Sequence, residues 1–163
     1  MANIIIWVLE NIFLSTALLA VILGVLRKSK HRNYSESILR QLFLWFVCIA
    51  FLYSGLMHLV FGDFTAAKIG WRPSPFQFEV GLANLNISVL GLMAFLKANR
   101  YFWLGAIASL SLSSVGAGLG HIYQLLAYHN YAQSNSGSVL YTDIIVPIVM
   151  FILWLRTKDN ATH

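Results

Sequence analysis

Five long apolar runs divide this chain and constrain its fold more than any other feature of the sequence. At about 1.5 Å per helical residue, the first run, from Ile4 to Leu26, is long enough to cross roughly 30 Å of hydrocarbon. Only 10% of the residues are charged, too few to cover the surface of a soluble domain of this length. The runs predict an all-α fold, a polytopic transmembrane bundle of five helices in a single domain over residues 1–163. The predicted helices are 4–26, 42–62, 76–96, 101–128 and 139–155.

The distribution of lysine and arginine predicts the orientation of the bundle, because short loops rich in these residues stay cytoplasmic. Lys68 and Arg72 alone fall on one side. The other side holds nine basic residues: Arg27, Lys28, Lys30, Arg32, Arg40, Lys97, Arg100, Arg156 and Lys158. We therefore expect the amino terminus outside and the carboxyl terminus inside, in a cell inner membrane with the lipid bilayer as partner. Nothing basic precedes Arg27, so the first run is expected to be retained and not cleaved as a signal peptide.

Polar side chains within the runs occur in the half of each predicted helix that faces the outside. These residues are Glu10, Asn11, His58, Gln77, Glu79, His121, Gln124 and Asp143. Ionisable groups are costly in hydrocarbon and usually point into a bundle or a wet cavity. We therefore expect an outward-facing polar site built around Glu79, His121 and His58. The supporting candidates for this site are Gln77, Gln124, Asn84 and Asp143.

The fourth run carries small residues that let helices approach closely. Ser114 and Gly118 share a helical face with His121. Gly116 and Gly120 form a further pair of the small-x-x-x-small type. This pattern predicts that the fourth helix is central in the bundle.

Two segments between the runs are expected to be loops. The first, residues 63–75, ends in Ser74-Pro75, a favourable start for the helix that follows. The second, residues 133–138, reads Gln-Ser-Asn-Ser-Gly-Ser and is too polar and too small to pack.

One string of residues, from Ile69 to Asn84, carries a family resemblance. Here the chain resembles a family of small prokaryotic multi-pass membrane proteins known only as a domain of unknown function, with a Gly-Trp-x-x-Ser-Pro-Phe-Gln-x-Glu-Val-Gly element and a later Gly-His pair. The matching residues are Gly70, Trp71, Ser74, Pro75, Phe76, Gln77, Glu79, Gly81, Gly120 and His121. The resemblance covers helices two to five. It implies a bacterial or archaeal membrane protein and no particular activity.

The polar residues support three hypotheses from different classes. One is a site that binds a small ligand or relays protons. Another is a metal or haem site, because two imidazoles and a carboxylate from His58, His121 and Glu79 suit zinc, copper or iron. The third is a structural or accessory subunit of a homo-oligomer or larger membrane complex.

Several function classes receive no support from the sequence. It contains no phosphate-binding Gly-Lys-Ser/Thr loop, no Gly-x-Ser-x-Gly nucleophile elbow and no His-Glu-x-x-His zinc motif. The net charge of +5 is explained by membrane topology, so no nucleic-acid partner is expected.

Overall fold

The computed structural model describes residues 2–30, 32–97 and 99–157, and within these ranges the chain forms helices and no strand. Lys158, counted above among the basic residues, lies outside them. The helices are α1 (Ala2–Glu10), α2 (Ile12–Leu26), α3 (Tyr34–Leu42), a π-helical segment (Phe43–Ala50), α4 (Phe51–Val60), α5 (Gly62–Ile69), α6 (Phe76–Leu96), α7 (Arg100–Tyr128), α8 (Gln133–Ser136) and α9 (Ser138–Leu155). The all-α prediction is confirmed.

Four stretches of the described chain are long and apolar enough to cross a membrane. They are Tyr34–Val60, Phe76–Leu96, Arg100–Tyr128 and Gln133–Leu155. A fifth is present if α1 and α2 together form one broken span. The predicted third, fourth and fifth helices correspond to α6, α7 and α9. Their predicted bounds agree with the observed ones to within one residue at each end.

The prediction of one continuous helix for the first run is wrong, because the run from Ile4 to Leu26 bends by 93° between α1 and α2. The break falls at Asn11, whose backbone leaves the helical region with φ −117° and ψ 38°. Its side-chain Nδ2 donates to the carbonyl of Trp7 at 2.9 Å. A carbonyl oxygen in the last turn of α1 therefore has a local hydrogen-bond partner. The sequence placed Glu10 and Asn11 in the run but did not indicate that they would end a helix.

The second helix begins earlier than predicted, at Tyr34 rather than Leu42. Asn33 caps it, since its Oδ1 accepts from the backbone N–H of Glu36 at 2.8 Å. The Asn-x-x-Glu spacing at 33 and 36 is the sequence signal for this start. The helix then continues without a break through the π-helical segment to Val60.

Both predicted loops contain helix. Most of α5 falls within residues 63–75. Gly70 follows its last residue and caps the helix in a left-handed conformation with φ 79°. Within residues 133–138 it forms the short helix α8, where Asn135 is completely buried. Asn130 joins the two regions, because its Nδ2 donates to the carbonyl of Ile69 at 2.9 Å.

Close packing in the bundle depends on small residues, though not at every predicted position. At Gly91 of α6, an added Cβ would lie 2.8 Å from the backbone nitrogen of Cys48 and 2.9 Å from the carbonyl oxygen of Phe43. At Gly116 and Gly120 of α7, nothing in the described chain lies within 4 Å of an added Cβ. The expected close approach at Gly116 and Gly120 is therefore not made inside this chain.

The two ends of the bundle differ in charge. At one end, Arg40 donates to the carbonyl of Phe95 at 2.9 Å, and Arg100 donates to the carbonyl of Trp154 at 3.0 Å. Most of the basic residues named above lie at or near this end, beyond α2, α6 and α9. The opposite end carries α1, α5 and α8, together with the polar residues described next. Outside the core, exposed leucine, isoleucine and valine side chains cover the long helices, a surface compatible with lipid.

Candidate functional site

A cavity of about 500 Å³ lies at the end of the bundle that carries α1, α5 and α8. All nine α-helices except α3 contribute to its wall. Most of that wall is apolar, and a small group of polar side chains converges within it. The main polar residues lining the cavity are Ser54, His58, Asn84, Ser114, His121 and Asp143. The size of this cavity, its mostly apolar wall and its few convergent polar groups are typical of a small-molecule binding site.

His121 of α7 is held on both ring nitrogens. Its Nδ1 lies 2.9 Å from Asn135 Oδ1, and its Nε2 lies 3.8 Å from Asp143 Oδ2. The Asn135 amide nitrogen donates to the backbone carbonyls of His121 and Asn130, so the amide oxygen faces the ring. Nδ1 therefore carries a hydrogen and donates it to Asn135, and Nε2 faces the carboxyl group of Asp143.

The Nε2 side of His121 faces the Asp143 carboxyl group, and both side chains are buried. The separation of 3.8 Å exceeds a hydrogen bond and leaves the facing atoms open to a third polar atom.

His58 of α4 is buried and lies between two cavities. Its Nδ1 is 2.7 Å from Oε1 of Gln77, which comes from the first turn of α6. It lines the cavity described above and also a second, outer pocket of about 520 Å³ bounded by α5 and the start of α6. Asp63 and Ser74 line that outer pocket. The His58–Gln77 pair thus forms part of the wall between an outer pocket and the inner cavity.

Two buried polar atoms of the cavity lining differ in their surroundings. The Ser114 hydroxyl faces the Asp143 carboxyl group. Trp71 Nε1 has no hydrogen-bond partner among the residues that the structure describes. Trp71 stacks on His121, with ring centroids 6.4 Å apart and the planes at 24°. Buried polar groups are normally paired, so the indole N–H of Trp71 is a donor available within the cavity wall.

The helix α1 forms the outer side of the cavity. Lys68 of α5 contacts Glu10 at 3.0 Å, and Ser138 donates to Asn11 at 2.8 Å. Ile6 and Phe64 line the cavity while 54% and 55% exposed, so the cavity reaches the surface between α1 and α5. The cavity is therefore open on the side that faces Ile6 and Phe64.

The structure brings together some of the predicted site residues and not others. His58, His121, Asp143 and Asn84 line the cavity, and Gln77 supports it through His58. Asn84 donates to Ser54 at 3.0 Å. The remaining two do not line it: Glu79 is exposed on the outside of α6, and Gln124 is half-buried on α7.

The metal hypothesis requires Glu79 beside His58 and His121, and that group is not assembled. Across the described ranges, no three His, Cys, Asp or Glu side chains are placed to hold a metal ion. Gln77 and Glu79 are two residues apart, about 200° around a helix, so only one of them can face His58.

Sequence reasoning missed Asn135 and undervalued Trp71 and Ser114. Asn135 lies in a segment expected to be a polar loop, and its burial depends on the turn that returns α8 under α7. Trp71 matches an interfacial anchor, yet its indole nitrogen is buried. Among these three residues, only Ser114 had a sequence signal that placed it near the site, namely its helical spacing from His121.

The described chain is thus all-helical, with four or five helices long and apolar enough to cross a membrane and, at one end, a largely apolar cavity that contains a few polar side chains. Residues 8–163 match the model of DUF6790, a family of unknown function, and the chain belongs to that family. The match includes most of the first apolar run, so it extends beyond the resemblance seen in helices two to five. No curated protein and no solved structure matches the chain.

Proposed function

We propose that this protein is a membrane protein that binds a small, largely apolar molecule in the inner cavity. The observation that carries the proposal is the cavity of about 500 Å³, in which an apolar wall meets His58, Ser114, His121 and Asp143. Its volume suits one small molecule or one end of a longer one. The apolar body would contact Phe13, Phe51 and Met57, and the polar end would reach the histidines.

A cavity-filling substitution tests this proposal. Ala117 lines the cavity, whereas Ala108 lies exposed on the same helix and does not. Protein purified in lipid nanodiscs is extracted with organic solvent, and the released molecules are identified by mass spectrometry. The proposal predicts a near-stoichiometric molecule, other than bulk lipid, in wild type and Ala108→Phe but not in Ala117→Phe. The same extract from all three proteins would contradict it.

The contact between His121 and Asp143 favours a second candidate function, proton transfer linked to the cavity. Imidazole and carboxyl groups can each bind and release a proton, and a ligand atom that came between these two groups would change the surroundings of both. Proteoliposomes containing a pH-sensitive dye would report this uptake. The proton-transfer function predicts a signal that His121→Gln abolishes and Glu79→Gln retains.

The proposed setting is the inner membrane of a prokaryotic cell, with the amino terminus outside and the cavity open to the outer face. The nine-to-two distribution of basic residues supports this orientation. Association with a second copy or with a larger membrane complex remains a separate proposal.

A further inference from the structure

The ionisable groups of the inner cavity disfavour a charged ligand end beside Trp71. Deep in the cavity, the Asp143 carboxyl group is buried 3.8 Å from His121. A ligand carboxylate would meet this second carboxyl group, and a ligand ammonium has no lone pair to accept a hydrogen bond from Trp71. At the mouth of the cavity, Glu10 and Lys68 are partly exposed and contact each other at 3.0 Å. The arrangement therefore favours a neutral ligand end.

The indole nitrogen of Trp71 at the same site is a hydrogen-bond donor that cannot accept. It is buried without a partner in the described chain. A ligand that satisfies Trp71 must present an acceptor, and an oxygen lone pair is the common acceptor of a neutral molecule.

From these two observations we infer that the cavity binds a neutral amphiphile whose polar end is an oxygen acceptor, such as a carbonyl group, received by Trp71 Nε1. This inference rests on the proposed ligand-binding function and adds the chemical class of the ligand. The stacking of Trp71 on His121 holds the indole in place before binding, so little side-chain freedom is lost.

The ligand class can be tested with four probes that share a twelve-carbon chain and differ only at the end: 2-dodecanone, dodecylamine, dodecanoic acid and dodecane. Each competes with a diazirine analogue of 2-dodecanone for photolabelling of the protein in nanodiscs. Mass spectrometry locates the label in peptides from α1, α5 and α7. Concentrations are corrected for partition into the lipid.

The inference predicts that 2-dodecanone competes at about one tenth the concentration of the other three probes, the effect of one satisfied buried hydrogen bond. Trp71→Phe keeps the aromatic ring and removes the N–H, and we expect it to bring the ketone close to dodecane. Trp45→Phe is the matched control. It removes another buried and unpartnered indole N–H, outside the cavity lining, and should leave the preference unchanged.

The contrary outcomes separate the two proposals. If dodecylamine or dodecanoic acid competes best at cavity peptides, or if Trp71→Phe retains the ketone preference, the assigned ligand class is wrong while ligand binding stands. If no probe gives saturable labelling of cavity peptides in the wild-type protein, the ligand-binding function itself is overturned together with the inference.

Discussion

Asn135 is the residue on which the geometry of His121 depends most directly. It is completely buried, and its amide group bonds the His121 ring, the His121 carbonyl and the Asn130 carbonyl. Replacing it with leucine leaves these groups unpaired inside the protein. Each buried unsatisfied group costs about 1–3 kcal/mol.

Asn135→Leu is therefore predicted to lower the free energy of unfolding by about 2 kcal/mol or more. Thermal unfolding in mild detergent, followed by circular dichroism, measures the effect. Asn86→Leu is the control, because Asn86 is exposed on α6. Equal midpoints for the two variants would show that the Asn135 network contributes little.

Glu79 and His121 are predicted to differ when each is replaced by alanine. His121 lines the cavity and contacts Asp143, so His121→Ala should abolish retention of the bound molecule. Glu79 is exposed on the far side of α6 from Gln77, so Glu79→Ala should retain it. Retention is measured by mass spectrometry after solvent extraction, at matched levels of protein in the membrane. Loss of the bound molecule in both variants would contradict this prediction and show that Glu79 contributes to the site.

At the residue scale, the sequence indicates which helix halves are polar but not which polar residue faces inward. His58, His121 and Asp143 were each singled out by their depth, and they line one cavity. Glu79 was singled out on the same grounds and lies outside. The difference is one of helical phase, and neither Gln77 nor Glu79 carries a sequence signal that fixes it.

Among the elements, α1 depends on polar contacts at its carboxyl end to stay over the cavity. It is exposed along most of its length, with Ile4 68% and Trp7 51% accessible. The Glu10–Lys68 ion pair joins it to α5 across the cavity mouth. Lys68→Met should therefore loosen α1 without affecting the long helices.

Hydrogen–deuterium exchange of residues 2–10 checks this prediction. We expect severalfold faster exchange in Lys68→Met, and recovery in the charge-swapped protein with Glu10→Lys and Lys68→Glu. Glu36→Gln is the control, because it breaks a different surface ion pair, with Arg32, away from the cavity. Unchanged exchange in Lys68→Met would mean that α1 is held by its apolar contacts alone.

The packing of α6 against the π-helical segment gives a prediction at Gly91. Gly91→Ala places a Cβ against backbone atoms of Cys48 and Phe43 that cannot move aside. Overpacking of this kind costs about 1–3 kcal/mol. Gly105→Ala, where nothing in the described chain lies within 4 Å of the added atom, should be neutral or slightly stabilising. Equal unfolding midpoints for both variants would contradict the close approach.

The elements predicted best are those whose boundaries coincide with the ends of apolar runs, such as α6 and α9. The elements predicted poorly are set by single polar residues. Asn11 ends α1 through a side-chain bond to its own helix, and Asn33 starts α3 through a cap. Such local hydrogen bonds end or extend a helix without altering the apolar pattern of the sequence, so hydropathy alone does not reveal them.

For the whole molecule, the orientation in the membrane is a prediction of the basic residues. On a Cys48→Ala background, a cysteine at Arg72 should react with a membrane-impermeant maleimide added to intact cells. A cysteine at Arg27 should react only after the membrane is opened. Both positions are exposed in the structure. The reverse labelling pattern would invert the proposed topology and place the cavity on the cytoplasmic side.

We propose that the inner cavity holds a small neutral molecule whose polar end lies against Trp71. Cryo-electron microscopy of the protein in lipid nanodiscs, with a rigid fiducial bound, tests it most directly. The account predicts continuous density between α1, α5 and α7, ending within hydrogen-bond distance of Trp71 Nε1. A cavity that is collapsed, or filled only by water, would contradict it.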